Sequence, residues 1–371
     1  MKKYAILTTF TAGVLGIMTS SMAAFPAFAA TTVGTPPPTN SNGWVQVSTA
    51  AQLEYIDQNQ SQYLNSNIEL LKNILLPKPA SSSRKNWVRF GSSMTPFSGT
   101  LHGNGHEIRN VQITDTTHTD VGLIGQLTGT VNAVGVSATV NVTSDPNVFS
   151  AGALVGFLNG GTIADSYATG VVTGNGSANG GLVGREQGNI TDCYANVAVS
   201  GNSSDNGGLV GYQRRGSIAD SYATGAVSGR GIASIDGGLV GLQNSNLSGL
   251  RYGSIINSYA SGAVTGRNAV NGGLVGWQNG RITDSFFDSQ TTTQGVGAGS
   301  ATGLTGEPTV AMQTKSTFSS APGYTSPWNF HTTWNIDNSH QNRPSKEHNG
   351  GFPYLRGTHA APTRTLSALA R

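Results

Sequence analysis

The chain is 371 residues long, with 51 glycines, 11% charged residues and a single cysteine, Cys193. A lone cysteine excludes an internal disulfide, so backbone ladders and a core must hold the fold. The 21 basic residues fall to 19, against 18 acidic, once Lys2 and Lys3 are set aside with the leader described next, and that balance argues against a nucleic-acid partner.

Residues 1–29 read as a secretory signal. Lys2 and Lys3 precede an apolar run from Tyr4 to Met18, and Ala27-Phe28-Ala29 has the small-x-small form of a cleavage site. No other run approaches the roughly 18 apolar residues of a membrane span. The expectation is an exported protein with no membrane span, secreted or held non-covalently at an extracellular surface. Residues 30–43, with Pro36-Pro37-Pro38 among Thr, Ser and Asn, read as a flexible linker.

Residues 44–120 read as an N-terminal cap and a first coil. Thr49-Ala50-Ala51-Gln52 has the form of a capping box opening a helix through Leu53 and Ile56. Strand-like runs follow at Ile68–Leu71 and Trp87–Phe90. The segment is expected to cover one open end of the repeat, whose bare ladder edge would otherwise invite aggregation. Its lead-in holds His102, His106 and Glu107, but an HExxH starting at His106 needs a histidine where Asn110 stands, and Gly103-Asn104-Gly105 lacks the third glycine of a dinucleotide fingerprint. It reads as a glycine-rich turn, and no metal or cofactor is expected.

Residues 121–289 repeat. GGLVG, with small variation, ends at glycines 125, 156, 184, 211, 241 and 276, in steps of 31, 28, 27, 30 and 35 residues. A second phrase follows each, most cleanly Ser217-Ile-Ala-Asp-Ser-Tyr-Ala223. Each repeat holds about three short strands. None can bury an apolar face alone, so successive coils must stack, like residue over like, about 4.8 Å apart. The fold class is all-β, a β-solenoid.

Ile218 and Ser221 are three residues apart and cannot share a face of one strand. A bend at Asp220 resolves this, placing Asp165, Asp192, Asp220, Asn257 and Asp284 at a corner where a short polar side chain tolerates turn geometry. Ser166, Cys193, Ser221 and Ala223 then point inward, and the paired glycines suit another corner. Cys193 reads as a small inward filler. The first coil departs from the pattern, with Ala133, Val134 and Gly135 in the corner, serine and tyrosine columns.

Two columns and one loop are candidate sites. Tyr167, Tyr194, Tyr222 and Tyr259, continued by Phe286, form an outward aromatic stripe that could hold a glycan or a protein, or simply stack. The acidic corner column could bridge a calcium ion, although its nonapeptide repeat is absent and corner capping explains it. The connection from Leu242 to Gly253 is longer than its equivalents, and recognition tends to be placed on such a loop.

The GGLVG phrases, their Ile-x-Asp-Ser-Tyr-Ala partners and the FSGTLHGNGHEI lead-in together resemble the GLUG-repeat proteins, across about Trp44 to Tyr354. That family recurs in bacterial adhesin-like surface proteins and beside the catalytic domain of some immunoglobulin-A-cleaving metallopeptidases. The resemblance implies a right-handed parallel β-helix with small capping segments and an exported, surface role. It does not imply catalysis, because the peptidase relatives carry their zinc motif in a separate domain.

Residues 290–359 read as a loop followed by a cap. Pro308–Met312 opens a short helix, and Trp328, Phe330, Trp334, Ile336 and Gly351-Phe-Pro-Tyr-Leu355 supply bulk to plug the second end. His331, His340, His348 and His359 show no ligand spacing. Residues 360–371 read as a loose tail without a wall-anchoring signal. Polysaccharide-degrading enzymes occur on β-helices, and their sites cluster acidic and basic residues on one face. The coils hold almost no lysine, Arg214 and Arg215 are adjacent loop residues, and the acidic column is too regular for such a site. The expectation is a non-catalytic, adhesin-like binder of a glycan or protein, with a secreted polysaccharide lyase or hydrolase as the alternative.

Overall fold

The computed structural model describes residues 35–79, 86–114, 118–142, 149–202, 205–231, 233–244, 253–266, 269–320, 327–336 and 349–356. The leader, the tail, most of the Leu242–Gly253 connection, and His340, His348 and His359 lie outside them. The fold is a parallel β-helix. Among the described residues its four sheets, in the order in which a coil visits them, carry six, seven, nine and eleven strands.

One coil shows the plan. Ala178–Gly180 lies in the first sheet, Val183–Glu186 in the second, Asn189–Thr191 in the third and Tyr194–Gly201 in the fourth. Each strand pairs in parallel with its counterpart a coil later, Gly180 on Gly207, Val183 on Val210, Ile190 on Ile218 and Tyr194 on Tyr222. A coil therefore has four strands where the sequence predicts about three. The extra division falls inside GGLVG, where Gly181 and Leu182 bend the chain between two short sheets.

That bend brings coils into close approach. A Cβ on Gly208 would lie 2.0 Å from the Gly238 carbonyl oxygen, so no other residue fits without moving backbone. The leucine that follows is wholly buried in every coil. The Leu182 amide donates to Leu209, Leu209 to Leu239 and Leu239 to Leu274, each at 2.9 Å.

The second predicted corner is also present. Ala133, Asp165, Asp192, Asp220, Asn257 and Asp284 all have φ between 46° and 53°, the left-handed region that, among residues with a side chain, Asp and Asn tolerate best. The inward Ser/Cys column beyond it forms a ladder of its own. Ser221 Oγ donates to the Ala219 carbonyl at 2.7 Å and accepts the Cys193 amide at 3.2 Å; Ser258 repeats this one coil on, at 2.7 Å and 3.2 Å. Cys193 sits within this ladder, fully buried, and burial pushes its thiol well above the ordinary range.

Both ends hold more solenoid than the sequence suggests. Val45, Ile68 and Leu101 lie in register ahead of Val131, so residues assigned to the cap already build the third sheet. The capping box is present, with the Gln52 amide on Thr49 Oγ1 at 3.3 Å, and Leu53 and Ile56 are buried. Trp87–Phe90 is not a strand. Trp87 is buried, its indole donating to the Leu123 carbonyl at 2.8 Å, and Phe90 makes one parallel bridge to Ile124. Beyond Phe287, where a loop is predicted, Val296–Gly299 and Leu304–Glu307 add a degenerate coil in register with Val275 and Phe286.

The close approach at the glycine bend sets a test. Gly208→Ala is expected to cost about 1–3 kcal/mol through overpacking, lowering the melting temperature by about 2–4 °C per kcal/mol. An unchanged melting curve would show that the coils can separate there at no cost.

Candidate functional site

The predicted aromatic stripe is real, but it is closed. Tyr167, Tyr194, Tyr222 and Tyr259 stack in order, with centroids 4.9, 4.9 and 5.0 Å apart and interplanar angles of 3° to 7°. The spacing is that of the backbone ladder beneath them. The stack ends on Gly135, whose hydrogen leaves room for the Tyr167 ring; a Cβ there would sit 2.4 Å from Tyr167 Cζ. This explains why the first coil lacks the tyrosine.

The tyrosines and Phe286 point away from the solenoid interior, as predicted, yet they are only 0–7% exposed. The C-terminal segment packs on Tyr222, Tyr259 and Phe286. Trp334 lies 6.0 Å from both Tyr222 and Tyr259, Trp328 lies 5.5 Å from Phe286, and Phe352 lies over Tyr259 at 6.2 Å. The Tyr259 hydroxyl donates to the Pro353 carbonyl at 2.7 Å. The segment expected to plug the end of the solenoid instead straps its flank. With ring stacked on ring, and with Trp328 and Trp334 against Tyr222, Tyr259 and Phe286, these residues form a second core in place of a sugar platform. Burial pushes the Tyr167 hydroxyl up to about 12.

The acidic corner column is tied into the same packing. Asp220 Oδ1 accepts the Trp334 indole N–H at 3.1 Å, and Asp165 Oδ2 accepts the Asn132 amide at 3.2 Å. Burial, then the neighbouring Asp220 and Asp165 carboxylates, push Asp192 up to about 6. Glu107, singled out beside His106, is paired with Arg109 at 2.6 Å.

Buried polar columns run through the interior. The Asn179 amide donates to Asn206 at 2.9 Å and the Asn206 amide to Asp236 at 2.7 Å. Glu186 stands in register with Gln213 and Gln243, all fully buried. Burial holds its carboxyl well above the usual range; the Gln213 amide and the Gly188 N–H oppose the rise without reaching full hydrogen-bond geometry.

One exposed column emerges that sequence reasoning missed. The residue directly after GLVG points outward from the second sheet and stacks in register as Phe157, Arg185, Tyr212, Leu242 and Trp277. Trp277 is 46% exposed, and Phe157, Arg185 and Tyr212 are half-buried. The Arg185 guanidinium lies between two rings, 4.8 Å from the Phe157 centroid and 5.7 Å from that of Tyr212. Its Nε has no hydrogen-bond partner. Burial and the nearby positive charge of Arg214 both lower its hold on its proton. The signal was available as a position that stays bulky while changing chemistry at every repeat.

Residues 205–228 match the family model described as "The GLUG motif". No curated protein matches the chain. Among solved structures the chain is similar to one described as "Crystal structure of a putative immunoglobulin A1 protease from Bacteroides ovatus". The two are 21% identical with a TM-score of 0.62, over 86% of this chain and 94% of that one. It is also similar to a structure described as "IgA1 Protease", at 18% identity and a TM-score of 0.45, over 68% of this chain and 19% of that one. The first likeness is one of fold, and it agrees with the parallel β-helix.

Two measurements test this packing. Tyr222→Ala is expected to cost about 3–5 kcal/mol, the usual loss for a buried aromatic side chain, seen as a lower melting temperature; a small change would mean that the flank is open in solution. A raised folded pKa at Asp192 means that the folded chain keeps a proton the unfolded chain releases, so this group's contribution declines as pH rises from about 4 to 6. Asp192→Asn, neutral throughout and suited to the same corner, is expected to raise the melting temperature at pH 7 and to leave it unchanged near pH 4. Equal curves at both pH values would rule out this charge strain.

Proposed function

We propose that this chain is an extracellular, non-catalytic binding scaffold, adhesin-like, that presents the exposed row on its second sheet to a glycan or protein. The observation that supports this reading most is the contrast between columns. Inward and corner positions repeat the same residue type from coil to coil, whereas Phe157, Arg185, Tyr212, Leu242 and Trp277 vary, stay bulky and face outward. A rigid ladder that fixes a row of unlike side chains is preorganised for recognition, because little rotamer entropy remains to be lost on binding.

The acidic groups support a structural assignment for themselves. Asp220 and Asp165 accept hydrogen bonds from Trp334 and Asn132, Glu107 is held by Arg109, and Glu186 is enclosed in the core. General acid–base work on a polymer needs two such groups facing it across a cleft. Export is supported by the composition of residues 1–29. Among the described residues no helix is long and apolar enough to cross a membrane.

The test is retention. The chain without residues 1–29 is passed over immobilised polysaccharides and extracellular proteins, and the eluate is assayed for cleaved product. Retention without product release is the expected result, reduced by Trp277→Ala. Product release would favour the polysaccharide-degrading alternative, and passage through every column would remove the binding reading.

A further inference from the structure

We propose that the ligand of the exposed row is a linear acidic polysaccharide, its carboxylate or sulfate groups taken by Arg185 and Arg214 and a sugar ring stacked on the exposed Trp277. This rests on the binding-scaffold reading and supplies the ligand class it leaves open.

Shape argues for a single extended chain. Five of the seven strands of the second sheet contribute one outward residue each to this row, which the buried Gln126 and the small Ala298 close at its two ends. Five rungs at about 4.8 Å make it ~19 Å long. A specific protein partner needs about 800 Å² from each side, more than such a row presents. Arg185 takes the facing sides of Phe157 and Tyr212, so Trp277, nearly half exposed, is the ring of the row open to a sugar. Sugar rings present C–H faces to aromatic faces and hydroxyls outward, so a polymer stacked on Trp277 can carry its acidic substituents along the row toward Arg185.

Charge argues for acidity. Arg185 and Arg214 are close enough to repel one another, and an anion placed between them relieves that repulsion. Asp120, the acidic group that acts on Arg185, has the smallest effect of its neighbours and is committed to the Ser150 hydroxyl at 2.6 Å. Two aromatic rings hold the Arg185 fork in place. That is the preorganised state in which a guanidinium takes a carboxylate or sulfate with least further ordering. Arg214 reaches the same place from the turn after Gln213, its own amide bonded to the Glu186 carbonyl at 2.9 Å.

The test uses the chain without residues 1–29 and four soluble polymers: polygalacturonate, dextran sulfate, neutral dextran and poly-L-glutamate. Binding is expected to one or both acidic glycans, to weaken as salt is raised, and to fall about tenfold in Arg214→Gln and in Trp277→Ala, each removing one charged or aromatic contact. Both side chains lie at the surface, so the melting temperature should hold; Arg185→Gln is read only if its melting curve also holds. Comparison of the two acidic glycans tells carboxylate from sulfate. Poly-L-glutamate binding as tightly would show that charge alone suffices and overturn the glycan assignment. Binding to dextran or to an extracellular protein, unchanged in Arg214→Gln, would overturn the acidic ligand while leaving the scaffold reading intact. Failure with all four polymers and with every protein tested would remove both.

Discussion

Vertical register is the constraint from which the rest of this molecule follows. Parallel pairing puts each residue directly over its counterpart one coil away, Ile163 on Ile190 on Ile218, Tyr167 on Tyr194 on Tyr222. A side chain is therefore selected for what it does on top of a copy of itself. Isoleucine and leucine pack; serine donates to its own turn and accepts from the coil before; asparagine hands its amide along the stack; tyrosine lays ring on ring. Aspartate is the awkward case, since like charges then meet at one-coil spacing. The chain relieves this with Asn257 and with the Trp334 indole, and the Asp192 carboxyl between two acidic neighbours is pushed up to about 6 by burial and by their charge.

Much of this was legible because repetition is legible. The fold class, the inward Ser/Cys column, the left-handed corner at Asp220 and the capping box at Thr49 all follow from residue type at a fixed offset. What was not legible depended on contacts between segments far apart in the chain. No GGLVG phrase marks Val45, Val296 or Leu304 as members of ladders, because Val45 lies in a stretch without paired glycines and Gly295 stands where the leucine before Val296 would be. Nothing in the local pattern of Trp328 and Trp334 says that they lie along the flank instead of across the end. A column equally exposed by strand parity, the tyrosines, thus proved to be covered, while the open one went unread because it does not repeat.

That inversion has a physical basis. In a stacked fold, constancy down a column reports that the column touches itself or another part of the protein, since any change would be felt by two neighbours at once. Variation reports that unlike residues satisfy that requirement. The outward position after GLVG, occupied in turn by Phe157, Arg185, Tyr212, Leu242 and Trp277, meets it with unlike neighbours, as where Arg185 lies between Phe157 and Tyr212, and there the rigid ladder displays varied chemistry.

The strap over the tyrosines gives assembly a direction. Coils add to one another through partners roughly thirty residues away, a short closure for the chain. The strap must span far more, with Trp334 bonding to Asp220 across 114 positions and Tyr259 to Pro353 across 94. Its seat is made of rings from three successive coils, Tyr222, Tyr259 and Phe286. Docking of the last residues therefore depends on those three coils being in step, and a slip in any one of them would leave the tryptophans without their seat.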